Sequence, residues 1–303
     1  MNGTMTQSHH MDGPAFSMLG ALMLLWGYNW VMMKIALRYA APFDFAALRT
    51  FGAALCLLLP LLLFKRSAFW PRYPRATLLL GLLQTACFVG LVNLALVHGD
   101  AGKSSVLVYT MPFWIVLLAP LVLHETFRRA QIPALLLAFA GLLLILAPWQ
   151  HSPDLVSSLL ALGAGLFWAL SVLLAKTIPT ADAWELLSLT GWQMLYGSLV
   201  LILLALLIPS HPIVWSGSFI VALLYNIVPG NAVAWFLWLI VVNRLPASVS
   251  GLNALAIPVV GVLAGWWQLG ERPSLVEGTG MVLVFAALAV LAISMRKPAA
   301  QHA

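Results

Sequence analysis

Charged residues are scarce in this sequence. Asp, Glu, Lys and Arg account for 8% of its 303 residues, whereas 62% are hydrophobic, and an ordinary soluble domain carries about 25% charged residues. This shortage excludes an ordinary soluble domain and indicates an all-α protein that crosses a membrane several times. The two cysteines, Cys56 and Cys87, lie inside apolar runs and are interpreted as small buried hydrophobes.

Acidic residues and histidines are missing from the middle of the apolar runs. All nine acidic residues and all seven histidines lie in the tails, in loops or near the ends of the runs. An intramembrane metal centre needs clustered His, Asp or Glu ligands, and acid–base or nucleophilic catalysis needs a reactive group at the reacting centre. We therefore expect no metal, no cofactor and no enzyme activity.

The apolar runs have the length of membrane-spanning helices, which need about 20 residues. They predict ten spans, at 16–38, 44–64, 76–97, 101–123, 131–149, 155–177, 182–207, 217–242, 247–268 and 274–295. The first run has no small-residue cleavage site after it, so we expect this span to remain in the mature protein.

The basic residues predict how these spans are oriented. With the N-terminus in the cytoplasm, the inner loops and tail hold ten Lys and Arg residues and the outer ends hold three, Arg38, Lys103 and Arg272. This bias follows the positive-inside rule and places both termini in the cytoplasm. Lys34 and Arg49 fall within spans one and two, and we expect their side chains to reach toward the outer interface. Because no basic patch forms, nucleic acid is not a predicted partner.

The second half of the sequence repeats the first. "LLWGYNWVMMK" from residue 24 is echoed by "LFWALSVLLAK" 142 residues later, and "AGKSSVLVYTMPFW" from residue 101 aligns with "ASVSGLNALAIPVV" 146 residues later. Because each half holds five spans, an odd number, the second must enter the membrane upside down. Inverted repeats are typical of secondary transporters, whose substrate site lies at the repeat interface. The predicted organisation is a cytoplasmic tail at 1–15, repeats at 16–149 and 155–295, and a cytoplasmic tail at 296–303.

Prolines interrupt corresponding spans near mid-membrane. Pro112 and Pro258 fall at the centres of spans four and nine, and Pro229 followed by Gly230 is a strong helix breaker in span eight. A proline removes one backbone hydrogen bond and frees the carbonyl four residues back. Such prolines often only bend membrane helices for packing, but corresponding interruptions in two halves indicate a binding site.

Polar and aromatic residues gather at the same depth. Gln84 and Thr85 of span three align with Gly230 and Asn231 of span eight, where they either bridge helices or line a cavity. In span one a single helical face carries Trp26, Asn29, Trp30 and Met33. An aromatic-lined cavity with a few hydrogen-bonding groups fits this stripe; an ordinary aromatic contact between helices is the alternative.

The position of the acidic residues bears on energy coupling. Proton relays and sodium sites generally rely on intramembrane Asp, Glu or His, so we expect transport down the substrate gradient or by exchange. Glu125 with Arg128 or Arg129, and Glu271 with Arg272, are interpreted as charge pairs at helix ends. Because the two glutamates are related by the repeat, a gating role is the alternative.

These features resemble the EamA-type drug/metabolite transporters. The resemblance rests on "WGYNW" at 26–30 with its echo at Trp168, on "P…HE" at 112–125 and "P…GE" at 258–271, and on the duplicated layout over essentially the whole chain. Where the family pattern has a glycine after the second tryptophan, here Trp168, this chain has Ala169. Within the superfamily the chain looks closest to bacterial inner-membrane exporters of aromatic and other amino acids, of the YddG type. The resemblance implies a ten-helix bundle whose central cavity is lined mainly by spans one, three, four, six, eight and nine.

We therefore expect a multi-pass exporter of amino acids and related metabolites in the bacterial inner membrane, with a small-molecule substrate and the lipid bilayer as its partners. The expected substrate-binding residues supply aromatic surface and hydrogen bonds: Trp26, Trp30, Tyr109, Trp168 and Trp235, with Asn29, Gln84, Asn226, Asn231 and Asn253. A nucleotide-sugar carrier would need a basic cavity for its anionic substrate, whereas no basic residue is expected at mid-membrane. A lipid-modifying membrane enzyme would need a catalytic constellation, which this sequence lacks. A non-transporting scaffold would leave the paired midplane prolines and polar residues without a purpose.

Overall fold

A computed structural model describes residues 13–122, 129–146, 155–235, 237 and 253–294. In the first half the helices are α1 Gly13–Ala36, α2 Pro42–Phe64, α3 Pro74–Gly81, α4 Phe88–His98, α5 Ala101–Val108, α6 Met111–Val122 and α7 Ile132–Leu146. In the second half they are α8 Leu155–Lys176, α9 Ala183–Leu207, α10 Gly217–Ile227, α11 Asn253–Ala264 and α12 Leu275–Ser294. Wider π-helical turns join α3 to α4, follow α10 and follow α11, at Leu82–Cys87, Val228–Val233 and Gly265–Leu269.

Helices long and apolar enough to cross a membrane account for most of the described chain. By length and composition they are Ser17–Ala36, Pro42–Phe64, Pro74–His98, Ala101–Val122, Leu155–Lys176, Ala183–Leu207 and Leu275–Ile293. Shorter apolar helices lie at Ile132–Leu146, Gly217–Val233 and Ile257–Leu269. The prediction of an all-helical membrane protein is confirmed. The number ten stays a prediction, because these three helices are shorter than a bilayer crossing needs.

Apolar side chains cover the outside of the bundle and polar side chains lie inside it. Phe64 and Leu206 are 75% and 79% exposed, whereas Gln193 is 1% exposed and Thr85 is buried. A soluble protein shows the opposite distribution of its polar groups. The arrangement is the one expected where lipid surrounds the helices and polar groups are satisfied within the bundle.

Helices of the two halves pack against each other throughout the bundle. Helix α2 lies along α9 and α7 lies along α12, while α4 packs on α8 and α1 packs on α10 and α11. Helix α5 contacts both α8 and α11. Residues from both halves therefore surround the centre of the molecule.

The helices are interrupted at corresponding places in the two halves. The π-helical turns Leu82–Cys87 and Val228–Val233 are separated by 146 residues, the offset of the sequence repeat, and the second turn contains Pro229 and Gly230. Helix α5 ends at Val108 and α6 begins at Met111, immediately before Pro112. By contrast, α11 runs through Pro258 without a break, so the interruption predicted there was wrong. A membrane helix tolerates the loss of one backbone hydrogen bond without breaking.

Two glycines bring α7 and α12 into close contact. A Cβ atom added to Gly141 or to Gly280 would lie 2.7 Å from the carbonyl oxygen of the other. We expect Gly280→Ala to lower the free energy of unfolding by about 1–3 kcal/mol, since the backbones must separate to admit the methyl group. Gly278→Ala is the matched control, because nothing lies within 4 Å of its added Cβ. Thermal unfolding in detergent measures both variants, and equal melting temperatures would contradict this packing.

Candidate functional site

A cavity of about 120 Å³ lies between helices of the two halves. Its wall includes one face of α1, the two corresponding π-helical turns and parts of α2, α4, α5, α8 and α9. Most of the residues expected to bind substrate lie in this wall: Trp26, Asn29, Trp30, Gln84, Tyr109, Trp168, Asn231 and Trp235. The structure thus brings together side chains that are more than two hundred residues apart in sequence, such as Trp26 and Trp235.

Two expected binding residues are not among those that line the cavity. The buried Asn226 side chain lies behind the wall, where its Oδ1 accepts a hydrogen bond from Arg49 Nη1 at 2.9 Å and its Nδ2 donates to the Ala222 carbonyl at 2.9 Å. Asn226 therefore contacts Arg49 and is not among the residues that line the cavity, and its role in substrate binding stays a prediction. Asn253 begins α11, but its side chain lies outside the described part of the chain, as does all of Glu125.

The aromatic part of the wall contains one group around Trp26 and one around Trp168, the two tryptophans that the repeat aligns. Trp26 meets Trp235 edge-on with ring centroids 5.7 Å apart, and its Nε1 donates a hydrogen bond to the Gly230 carbonyl at 3.1 Å. Trp168 contacts Tyr109 edge-on at 5.2 Å and Phe88 at 5.3 Å. Edge-on contacts of this kind hold large rings in fixed orientations. The cavity therefore offers preformed aromatic surfaces from both halves.

The π-helical turns supply polar groups to the same cavity. Gln84 and Thr85 come from the first turn, and Gly230 and Asn231 come from the second. Thr85 Oγ1 donates to Gln193 Oε1 at 2.8 Å. An additional residue in a helical turn re-aims the side chains around it, which is why such turns are frequent at functional sites. These residues, which the repeat aligns in the sequence, thus lie in one cavity wall, although nothing in "LLQTAC" signals a π-helical turn.

Helices α2 and α9 contribute to the cavity wall, which was not expected. Arg49 and Thr50 of α2 and Gln193 and Met194 of α9 line it, whereas none of the lining residues comes from the described part of span nine. The signal that could have found two of them is a long polar side chain in the middle of an apolar run. Arg49 and Gln193 are both such residues.

Arg49 lies in the interior of the bundle and not at the outer interface. It is 5% exposed, and its Nη1 contacts Met33 Sδ and Asn226 Oδ1, both at 2.9 Å. Its guanidinium carbon also lies 5.7 Å from the centre of the Phe45 ring. The prediction that this side chain reaches the interface was wrong, because position 49 faces α1 and α10. The cavity consequently does contain a basic group.

Lys34 and Glu271 hold helix ends near one surface of the bundle. Lys34 Nζ donates to the carbonyls of Leu96 and Gly99, each at 2.7 Å. Glu271 accepts hydrogen bonds from the Ala101 and Gly102 amides at 2.7 and 3.0 Å, so it caps α5 and does not form the expected pair with Arg272. A carboxylate at a helix N-terminus satisfies free amides and the helix dipole.

The carboxyl group of Glu271 lies in a partly buried environment. Burial raises the pKa of this carboxyl above its ordinary value, and the two backbone hydrogen bonds oppose the shift by favouring the ionised form. Lys103 Nζ pairs with Glu277 Oε1 at 2.8 Å and joins α5 to α12 beside it. Two carboxylates of the α11–α12 region thus tie down the start of α5.

No group of three or more His, Cys, Asp or Glu side chains that could hold a metal ion occurs among residues 13–122, 129–146, 155–235 and 253–294. Arg49 is the only charged residue in the described wall of the cavity. The wall therefore suits the binding of a small organic molecule through aromatic faces, amides and one cation.

Comparison with known proteins identifies the family. The EamA-like transporter family matches residues 14–147 and again residues 155–293. The uncharacterized transporter YoaV of Bacillus subtilis (strain 168) is 26% identical over 274 residues, which cover 88% of this chain and 93% of that protein. A probable amino-acid metabolite efflux pump of Salmonella typhimurium (strain LT2) is 26% identical, with 91% and 93% covered. The riboflavin transporter of Rhizobium johnstonii is 28% identical, with 95% and 90% covered.

The two family matches together account for most of the sequence, and these relatives are named as transporters. Seven helices of the described part of the chain are long and apolar enough to cross a membrane. The chain is thus a multi-pass membrane transporter and not an enzyme, and it belongs to the EamA-like transporter family.

Proposed function

We propose that this transporter exports amino acids, aromatic ones among them, and related small metabolites across the bacterial inner membrane. The observation that carries the proposal is the central cavity, where aromatic rings of both halves meet a few hydrogen-bonding groups. Rings such as those of Trp26 and Trp168 bind apolar side chains and attract ammonium groups through cation–π interactions. Asn29, Gln84 and Asn231 provide amides that orient the polar end of the substrate. The similar efflux pump for amino-acid metabolites supports both the substrate class and the direction.

The architecture that supports alternating access is a pair of inverted five-span repeats with both termini in the cytoplasm. Three observations support it: the family matches twice, the π-helical turns recur at the repeat offset, and α2 with α9 and α7 with α12 pack as corresponding pairs. An odd number of spans per repeat makes the halves antiparallel, and transporters of this kind rock one part against the other around a central site.

The contacts around Glu271 act as part of the outer gate in this proposal. They tie the start of α5 to the segment between α11 and α12, and they must separate before the cavity can open on that side. Glu125 is related to Glu271 by the repeat and would have the same role at the inner surface. A carboxylate that caps a helix across the repeat interface is suited to gating, since its bonds form and break as a unit.

Uptake into proteoliposomes of the purified protein tests the proposal. A panel of radiolabelled amino acids is offered with and without an imposed proton gradient, and empty liposomes give the background. We expect saturable uptake without the gradient, because no acidic residue lies in the described wall of the cavity. Uptake only with the gradient would contradict the uncoupled mechanism. Uptake of no amino acid would contradict the substrate class.

A carrier of nucleotide sugars or other anionic metabolites is the second candidate. Arg49 favours it, since the cavity contains the basic group that such substrates need. A nucleotide sugar, however, carries several negative charges against a single cation in the described wall. The relative that is a riboflavin transporter shows that the family includes carriers of a larger aromatic molecule. Riboflavin and a nucleotide sugar therefore belong in the same uptake panel.

A further inference from the structure

We infer that Arg49 and Asn29 together recognise the two charged groups of a zwitterionic substrate. Arg49 binds the carboxylate, and the side-chain oxygen of Asn29 accepts a hydrogen bond from the ammonium group. The inference rests on the proposed function and deepens it, because it names the groups of an amino acid that the cavity selects. The two residues come from neighbouring helices, α2 and α1, and both line the cavity.

The guanidinium of Arg49 is buried and has no anionic partner among the described residues. Its Nη1 binds two neutral groups, Met33 Sδ and Asn226 Oδ1, and its Nε has no hydrogen-bond partner in the part of the chain that the structure describes. The described wall of the cavity contains no acidic side chain that could neutralise it. A buried cation is costly unless an anion and further hydrogen bonds compensate its lost hydration. A carboxylate in the cavity would provide both and would match the planar donor group of an arginine.

The side-chain oxygen of Asn29 is a buried acceptor for which the described part of the chain offers no donor. Asn29 is 9% exposed, and its Oδ1 has no hydrogen-bond partner among residues 13–122, 129–146, 155–235 and 253–294. The backbone of Gly230 approaches it so closely that a Cβ atom on Gly230 would lie 2.5 Å from this oxygen. Such unsatisfied buried groups are rare and call for an explanation. An ammonium group in the cavity would donate the missing hydrogen bond.

The polarity of the two unsatisfied atoms selects the substrate class. One is a donor on a cationic group and the other is an acceptor, so the pair matches a molecule that carries one negative and one positive end. A phosphate or a dicarboxylate would satisfy Arg49 but would place negative charge against the Asn29 oxygen, which is unfavourable. The rings of Trp26 and Trp168 remain available for the side chain of the amino acid.

Competition binding tests this assignment with the amino acid that is best carried in the uptake panel. The radiolabelled amino acid is displaced from the detergent-purified protein by its amide, its decarboxylated amine or its deaminated acid. For the wild type we expect the amide and the amine to compete roughly tenfold more weakly than the amino acid, because each lacks the carboxylate. The deaminated acid should also compete more weakly, since it lacks the donor for Asn29.

Variants at the two positions should lose opposite parts of this selectivity. Arg49→Met should lower the affinity for the amino acid roughly ten- to a hundredfold and leave the affinity for the amine nearly unchanged. Asn29→Leu should lower the affinity for the amino acid and for the amine but not the affinity for the deaminated acid. Arg49→Met should also melt no lower than the wild type without ligand, because an apolar chain of similar length replaces an uncompensated charge. Arg49→Lys keeps the positive charge and should bind the amino acid and the deaminated acid better than Arg49→Met does.

The outcomes separate this inference from the proposed function. If amino acids are carried but the amide competes as well as the amino acid itself, the Arg49 assignment is overturned and the proposed function stands. If Arg49→Met bound none of the ligands and also had a lower melting temperature, the Arg49 assignment would be overturned in favour of a structural role. If no amino acid is carried and a sugar phosphate binds in an Arg49-dependent way, both the zwitterion assignment and the proposed function are overturned.

Discussion

Replacing Trp168 with alanine is expected to reduce the initial rate of amino-acid uptake roughly ten- to a hundredfold. The ring of Trp168 forms the cavity surface together with Tyr109 and Phe88, whose ring centroids lie 5.2 and 5.3 Å away. Its removal takes away a large stacking surface and leaves both neighbouring rings without their contact, and each 1.4 kcal/mol of lost interaction is worth about tenfold. Uptake into proteoliposomes at equal protein content measures the effect, and Trp168→Phe should retain part of the activity.

The control for this prediction is a tryptophan that does not touch the cavity. Trp267 is 85% exposed and is absent from the cavity wall, so Trp267→Ala should transport at close to the wild-type rate. If Trp168→Ala transported normally, Trp168 would be removed from the substrate surface. If both variants lost activity equally, the loss would reflect a general effect of removing tryptophan from the bundle.

Replacing Gly230 with alanine is expected to reduce transport roughly tenfold while leaving the fold intact. The added Cβ would lie 2.5 Å from Asn29 Oδ1 and 3.2 Å from the Tyr225 carbonyl oxygen, so the Asn29 side chain must rotate away. The φ angle of Gly230 is not in the left-handed region, and alanine therefore adopts this backbone without strain. The expected loss comes from the displaced amide alone, and an effect of this size corresponds to one lost hydrogen bond to a charged group.

Gly217→Ala provides the matched control at the start of the same helix. Nothing lies within 4 Å of a Cβ atom added there, so both its melting temperature and its rate of uptake should match the wild type. Wild-type uptake by Gly230→Ala would show that the orientation of Asn29 does not matter for transport. A large fall in its melting temperature would instead assign Gly230 a role in folding.

The membrane-spanning helices could be read closely from the sequence. Span two was expected at 44–64 and is found at Pro42–Phe64, and span six was expected at 155–177 and is found at Leu155–Lys176. The physical reason is that a bilayer contains no water to bind free backbone groups, so an apolar run of sufficient length must form a helix. Helix existence and length therefore depend on local composition.

The direction in which each side chain points was less predictable. Trp26, Asn29 and Trp30 were expected to face a cavity, and all three lie in its wall. Several polar and aromatic residues share one helical face here, and such a stripe has a clear orientation. A single arginine in an apolar run has no such context. Arg49 could face either the interface or the interior, and the packing of α2 against α9 and α10 turns it inward.

Contacts between distant segments were the hardest to anticipate. Glu271 is adjacent to Arg272 in sequence, which suggested a local charge pair, but its carboxylate reaches the amides of Ala101 and Gly102 some 170 residues away. Free amides at a helix N-terminus are strong donors for a carboxylate. Only the folded bundle places that helix end beside Glu271.

The amino-acid sequence alone predicts a helical membrane protein with repeated halves and an aromatic, polar stripe on its first span. These properties follow from composition, run length and spacing, which act locally along the chain. Only the folded bundle shows that Arg49 and Gln193 line the cavity, that Asn226 lies behind its wall and that Glu271 caps α5. These properties depend on how each helix is rotated and which helix lies beside it, and both are set by the packing of side chains from all parts of the bundle.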